Sequence, residues 1–294
     1  MSKPKTVQNS SYGSQSTSRK VALAQAEKGN WYASIVSEVE GYRSRPYFDN
    51  KGIAIGNGWN IGQQSRKRNT ELAFGIEMDG VSTEALLPYS GVQNPTSLPN
   101  VAITPEQSSK AVELMREQYE APMRKLVPSW SQLKRNEQDA LVYHAYKVGA
   151  GGAAKYTSML AALKTYAANP SEENKLKVAG TFTYKYTING TVYQDARSAL
   201  YLGALFTSPE AYTYLLGTTK APADFGKVAQ LSGQKIDTSK PAEDQIQDDY
   251  GKAKEVLISR GIPYTVILQA APQATAPAPT KPRVRNNAIV FWGI

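Results

Sequence analysis

The sequence predicts a predominantly helical α+β fold, and three features carry that prediction. Stretches with apolar residues at helical spacing recur along the chain, and capping residues mark several of their starts and stops. Between the first of these helices and the rest, residues 42–62 mix aromatic and β-branched residues with four glycines, which favours short strands joined by tight turns. A small sheet in a mainly helical chain is the consequence.

Residues 1–20 are rich in Ser, Gln and Lys, contain no acid, and offer little to bury beyond Val7 and Tyr12, so a flexible basic arm is expected there. Residues 21–41 are helix-compatible on both sides of Gly29-Asn30, with Trp31, Ile35 and Val39 on one face of the second piece. Glu40 then falls at a helix end, and Gly41 suits the left-handed position just past it. Residues 62–103, with Pro88, Pro95 and Pro99, read as loop. Thr104-Pro105-Glu106-Gln107 has the form of a capping box with proline at the first helical position, and predicts a helix running towards Pro122. A further helix starts at Asn136-Glu137-Gln138-Asp139 and closes on Gly149, and Ser158–Ala168 and Ala196–Phe206 complete the set. These elements define a main domain over 21–215. A C-terminal extension over 216–268, with one helix near 242–260, follows it. Residues 269–294 form a Pro/Ala-rich linker and an apolar terminal peptide, Ala288 to Ile294, suited to docking.

Composition narrows the chemistry. The chain has 294 residues, no cysteine and one histidine, which excludes a disulfide framework, a thiolate zinc site, a cysteine nucleophile and a multi-histidine metal site. No metal or cofactor is expected, and Asp and Glu are left as the acid–base groups. His144 lies in a strongly apolar helix and reads as a packed or hydrogen-bonded core residue. A net charge of +9 favours polyanionic partners. Nucleic acid is not among the expected ones, since no recognition helix or aromatic RNA platform stands out. No apolar run approaches the roughly 18 residues needed for a membrane span, and the N-terminal stretch lacks the apolar core of an export signal.

Glu40 and Asp49 form the pair with chemical meaning. A carboxyl at a helix end and a second one on the adjacent hairpin can face each other across a cleft, the arrangement glycoside hydrolysis needs. Glu40, beside Val39 and aromatic neighbours, is placed to keep its proton. Asp49, on a polar turn, is placed to stay ionised. Trp59 and Tyr47 beside the glycine turn suit lobe packing or stacking on sugar faces.

The run Val39-Glu40-Gly41-Tyr42-Arg43, Tyr47-Phe48-Asp49, Gly52-Ile53-Ala54-Ile55-Gly56-Asn57-Gly58 resembles the catalytic signature of phage-type lysozymes, glycoside hydrolase family 24. Ile103-Thr104-Pro105-Glu106-Gln107 is similar to that family's helix start, and Asp139 to Val142 with Ala145 to Gly149 and Ser158-Met159-Leu160 to its second-lobe motif. Arg197 with Ala204-Leu205-Phe206 is loosely similar to an arginine helix near the family's end, out of register. The resemblance spans about residues 30–206. It implies a lysozyme-like two-lobed fold, with a small sheet lobe and a helical lobe gripping peptidoglycan. The reaction implied is cleavage of the β-1,4 bond between N-acetylmuramic acid and N-acetylglucosamine. Glu40 carries over as general acid and Asp49 as its carboxylate partner, with Tyr47, Asn57 and Lys147 as substrate-binding positions. It also implies a place in a phage virion tail, or in the host cytoplasm with action at the periplasm or wall. Tail or baseplate proteins are then partners for the extension.

One departure bears on mechanism. The family has a Thr where this chain has Ala54, and the spacing from Asp49 is one residue shorter. Three readings stay open: another polar group such as Asn57 holds the attacking water, Glu40 acts alone as in a lytic transglycosylase, or catalysis is weakened and the chain is a virion protein that binds peptidoglycan. Lys147, where the family has Asn or Gln, suits either contact with an acidic substrate group or a solvated position.

Overall fold

The computed structural model describes residues 15–49, 52–188, 191–242 and 244–246. The fold is predominantly helical α+β, with one small three-stranded sheet near the start. Helices α1 (Gln15–Glu27) and α2 (Trp31–Glu40) form a hairpin that turns at Gly29, where φ is +70°. Asn30 caps α2 by accepting from the Ala33 N–H. Helix α1 begins inside the segment expected as a free arm. Ser18 is buried, and Arg19 reaches the Glu38 carboxylate at 2.8 Å, so this end of the arm is held by the core. A charged contact of this kind has no signature in local composition.

Strands β1 (Arg43–Asp49), β2 (Gly52–Gly56) and β3 (Trp59–Asn60) are antiparallel neighbours in that order. The register pairs Asp49 with Gly52, Tyr47 with Ala54, and Ala54 with Asn60. It slips between Arg43 and Tyr47, where Pro46 supplies no N–H to the ladder. The stretch expected as loop over 62–103 holds two helices, α3 (Arg66–Gly75) and α4 (Gly80–Leu86), capped by Ser65 and Asp79. Helix α3 buries Asn69, Leu72 and Ala73 and leaves Phe74 in water, so its apolar periodicity is too faint to read.

Helix α5 (Pro105–Leu126) starts with the reciprocal Thr104–Gln107 capping box and continues through Pro122 to end one turn later. A proline this near a C-terminus removes one helical bond without stopping the helix. Helix α5 serves two cores. Ala111 and Met115 pack with Ile53, Ile55 and Trp59 under the sheet, while Val112 and Met123 pack with the helical side. That second core is centred on α6 (Arg135–Val148) and α10 (Ala196–Thr207). Helix α10 is apolar and buried nearly all round, as a central helix must be. Between them run α7 (Ala150–Ala153), α8 (Thr157–Ala168), α9 (Glu172–Ala179) and a hairpin of β4 (Lys185–Ile188) with β5 (Thr191–Gln194).

Helices α11 (Pro209–Leu215) and α12 (Phe225–Leu231) follow. Leu216, Phe225, Val228, Ala229 and Ala242 join the same core as α6 and α10, so the chain from 216 to 242 belongs to the helical lobe. The helix expected near 242–260 lies almost wholly outside the described residues, and residues 269–294 lie wholly outside them.

A buried ionic cluster ties the first helices to α6. Asp139, fully buried, accepts from Arg116 at 2.6 Å and from the Tyr32 N–H at 3.1 Å, and pairs with Arg135 at 3.0 Å. Removing one partner of such a cluster strands the others away from water. Asp139→Ala is expected to lower stability by about 3–5 kcal/mol in urea denaturation.

Candidate active site

Glu40 is the last residue of α2, and Gly41 follows it with φ +76°, a backbone turn that favours glycine. The carbonyls at this helix end would lack partners, and Arg197 of α10 supplies them. Its guanidinium donates to the Val39 carbonyl at 3.1 Å, the Glu38 carbonyl at 2.9 Å and the Glu38 carboxylate at 3.0 Å. A cation at a helix C-terminus satisfies orphan acceptors and complements the dipole together.

The Glu40 side chain is 3% exposed. Its Oε1 accepts a 2.5 Å hydrogen bond from the Tyr143 hydroxyl and faces the Lys147 ammonium at 3.8 Å. Its Oε2 is buried and takes no hydrogen bond from the described residues. Burial, reinforced by the Glu40 charge, pushes the Tyr143 phenol well above its ordinary range, so it stays a neutral donor.

Asp49 ends β1, and Asn60 of β3 donates to its Oδ2 at 2.8 Å. Burial raises its pKa to about 6; the Asn60 hydrogen bond and Arg43 pull it down, and the Glu40 charge adds to the rise. Asp49 is half-buried on the folded hairpin, and with its pKa at about 6 it is ionised above that pH.

Tyr47 is half-buried, with the Arg43 guanidinium 4.1 Å from its ring centre. Ala54 is fully buried within the sheet, opposite Tyr47 and Asn60. Asn57 is buried too, and both ends of its amide are engaged. Its Nδ2 donates to the Gly41 carbonyl, and its Oδ1 accepts from Ser108 of α5 at 2.6 Å. The Asn57 carbonyl accepts from the Tyr146 hydroxyl at 2.7 Å, beside Gly58, whose φ of +102° and contact with that hydroxyl leave no room for a Cβ. Asn57 thus fastens the β2–β3 turn to the end of α2, and the expectation that it binds substrate or water is replaced by this positioning role. Trp59 is buried and donates to Asn69 at 2.9 Å, so it packs the sheet lobe.

Lys147 is buried rather than solvated, with its ammonium 2.9 Å from Asp195 and 3.8 Å from Glu40 Oε1. Burial would raise the Asp195 carboxyl, but the Lys147 ammonium and hydrogen bonds from Ser198, 2.9 Å from its N–H and 2.7 Å from its hydroxyl, outweigh it and hold the group below its usual range. Asp195 and Asn60 are the two residues that sequence reading missed. The signal for Asp195 was its place as N-cap of a predicted helix, and for Asn60 its place on the strand returning beside Ala54. His144 packs as a core residue: its Nδ1 lies 2.9 Å from the Tyr184 hydroxyl, and burial pushes the imidazole down to about 3.

Among the described residues no cluster of His, Asp and Glu is suited to a metal, and no helix is long and apolar enough to cross a membrane. Comparison with protein-family models, with curated proteins and with solved structures finds no match to this chain.

The Asp49 environment sets a pH dependence of stability. Its folded pKa, about 6, lies above the ordinary value of 3.8, so its favourable contribution is intact below about pH 4 and is lost as pH rises through 6. Asp49→Asn is expected to match the wild type in urea denaturation at pH 4 and to exceed it by about 2–3 kcal/mol at pH 7.5. An equal difference at both pH values would contradict this.

Proposed function

We propose that this protein is a peptidoglycan-degrading muramidase of phage origin, cleaving the β-1,4 bond between N-acetylmuramic acid and N-acetylglucosamine. The observation that carries the reading is Glu40, enclosed at the end of α2 and hydrogen-bonded by Tyr143, together with Asp49 on the hairpin that follows, where the Glu40 charge adds to the rise of the Asp49 pKa. The resemblance of residues 39–58 to the phage-type lysozyme signature supports it.

In this reading Glu40 gives its proton to the glycosidic oxygen as the bond to the muramic anomeric carbon breaks. Ionised Asp49 takes a proton from the water that bonds to that carbon, or steadies the positive charge developing on the sugar. Tyr143 orients Glu40, and Asn60 orients Asp49. Because the Glu40 side chain is 3% exposed, a glycan reaches it only after the structure around that carboxyl shifts. The net charge of +9 favours approach to anionic wall polymers in a salt-dependent manner.

A second reading has its own support. With a methyl group at Ala54 and the Asn57 amide buried and hydrogen-bonded at both ends, neither position is suited to orient an attacking water, which favours a lytic transglycosylase. There the muramic O6 hydroxyl replaces water and Glu40 alone moves the proton.

A zymogram with embedded peptidoglycan tests the proposal. The wild type is expected to clear it, and Glu40→Gln to lose at least about a hundredfold in rate. Hydrolysis is expected to rise as pH passes about 6, where Asp49 ionises. Clearing by Glu40→Gln equal to the wild type would overturn the proposal.

A further inference from the structure

The buried charges of Lys147 and Asp195 are arranged beside the Glu40 carboxyl. Lys147 and Asp195 have side chains 3% and 8% exposed and stand 2.9 Å apart. The same ammonium is 3.8 Å from Glu40 Oε1. Asp195 is fixed in turn by both the N–H and the hydroxyl of Ser198, as N-cap of α10. Lys147 is thus shared unequally between two carboxylates, near one and a little over an ordinary hydrogen-bond length from the other.

The remaining groups around Glu40 come from four places. Helix α6 adds the neutral phenols of Tyr143 and Tyr146, and the segment before β4 adds that of Tyr184. Strand β1 adds Asp49, whose charge opposes that of Glu40. Arg197 at the start of α10 is held by the α2 carbonyls and Glu38. Lys147 is accordingly the cation that faces the Glu40 carboxyl directly, and Asp195 is the anion that offsets it.

We propose that Lys147 and Asp195 are positioning residues that set, in opposite directions, how tightly Glu40 holds the proton it donates. Lys147 alone would favour the carboxylate and empty the acid of its proton. Asp195 draws the ammonium away, so that Glu40 is steadied in place without being forced to ionise. This inference rests on the reading of Glu40 as general acid, and it extends that reading to residues that never meet the sugar.

The test uses the full chain and two readouts. Carbon-13 NMR of the Glu40 carboxyl follows its titration without substrate, and the alkaline limb of peptidoglycan clearing follows it during turnover. Asp195→Asn keeps the shape and the cap, and leaves Lys147 facing Glu40 unopposed. It is expected to move both readouts to lower pH by about one unit or more. Lys147→Met removes the cation and is expected to move both to higher pH, with the double variant Lys147→Met/Asp195→Asn between the two. A purely structural role would lower stability without shifts of opposite sign. Unmoved midpoints, or shifts of the same sign in both single variants, would overturn the inference. Should Lys147→Met not fold, the Asp195→Asn shift decides alone: downward supports, unmoved or upward overturns. Opposite NMR shifts in a protein that clears no peptidoglycan in any form would overturn the muramidase reading and leave the electrostatic coupling standing.

Discussion

The C-terminus of α2 has to be held against the start of α10, and the rest of the site depends on that junction. A helix end leaves carbonyls without partners, and here Arg197 takes two of them while also pairing with Glu38. One turn of α6 away, Lys147 and Tyr143 take the side chain of Glu40, and Asp195 takes Lys147. Three helices distant in sequence are thereby locked around one carboxyl. Hydrogen bonds to charged groups in a dry setting are individually strong, and leaving any of them unmade is costly. The geometry at Glu40 is rigid for that reason.

The sheet lobe is attached to this junction at few points. Asn57 bonds the Gly41 carbonyl, Tyr146 bonds the Asn57 carbonyl, and Ser108 of α5 bonds Asn57 from the other side. Helix α5 spans both cores and so fixes the separation of the lobes, and strand β2 packs into the sheet-side core through Ile53 and Ile55. Burial raises the Asp49 pKa, so ionising that carboxyl costs the fold stability.

Local signals made a good part of this legible from the sequence. The Gly41 stop after Glu40, the capping box at Thr104, the Gly149 end of α6 and the aromatic, glycine-rich strands are each decided within a few residues, and the structure has them in place. Helices α3, α4, α7, α9, α11 and α12 escaped because each is at most ten residues long, too short for apolar periodicity to stand out. Within the site, what could not be read was pairing. Lys147 could be read as a substrate contact or a solvated charge because Asp195, its partner, stands at the start of another helix, and Asn57 looked available because the Gly41 carbonyl that claims it lies across a turn and a strand pair. The partial burial of Asp49 was hidden in the same way: a polar turn in sequence says nothing about what the hairpin packs against.

Everything functional in this account follows from a proton passing from Glu40 to a glycosidic oxygen while Asp49 directs water to the sugar. Mass spectrometry of purified peptidoglycan digested by the wild-type chain reads that event directly. The expected product carries new reducing N-acetylmuramic acid ends, each fragment having gained one water. Products ending in 1,6-anhydromuramic acid, cleavage only in the peptide stems, or glycan strands left at full length would contradict it.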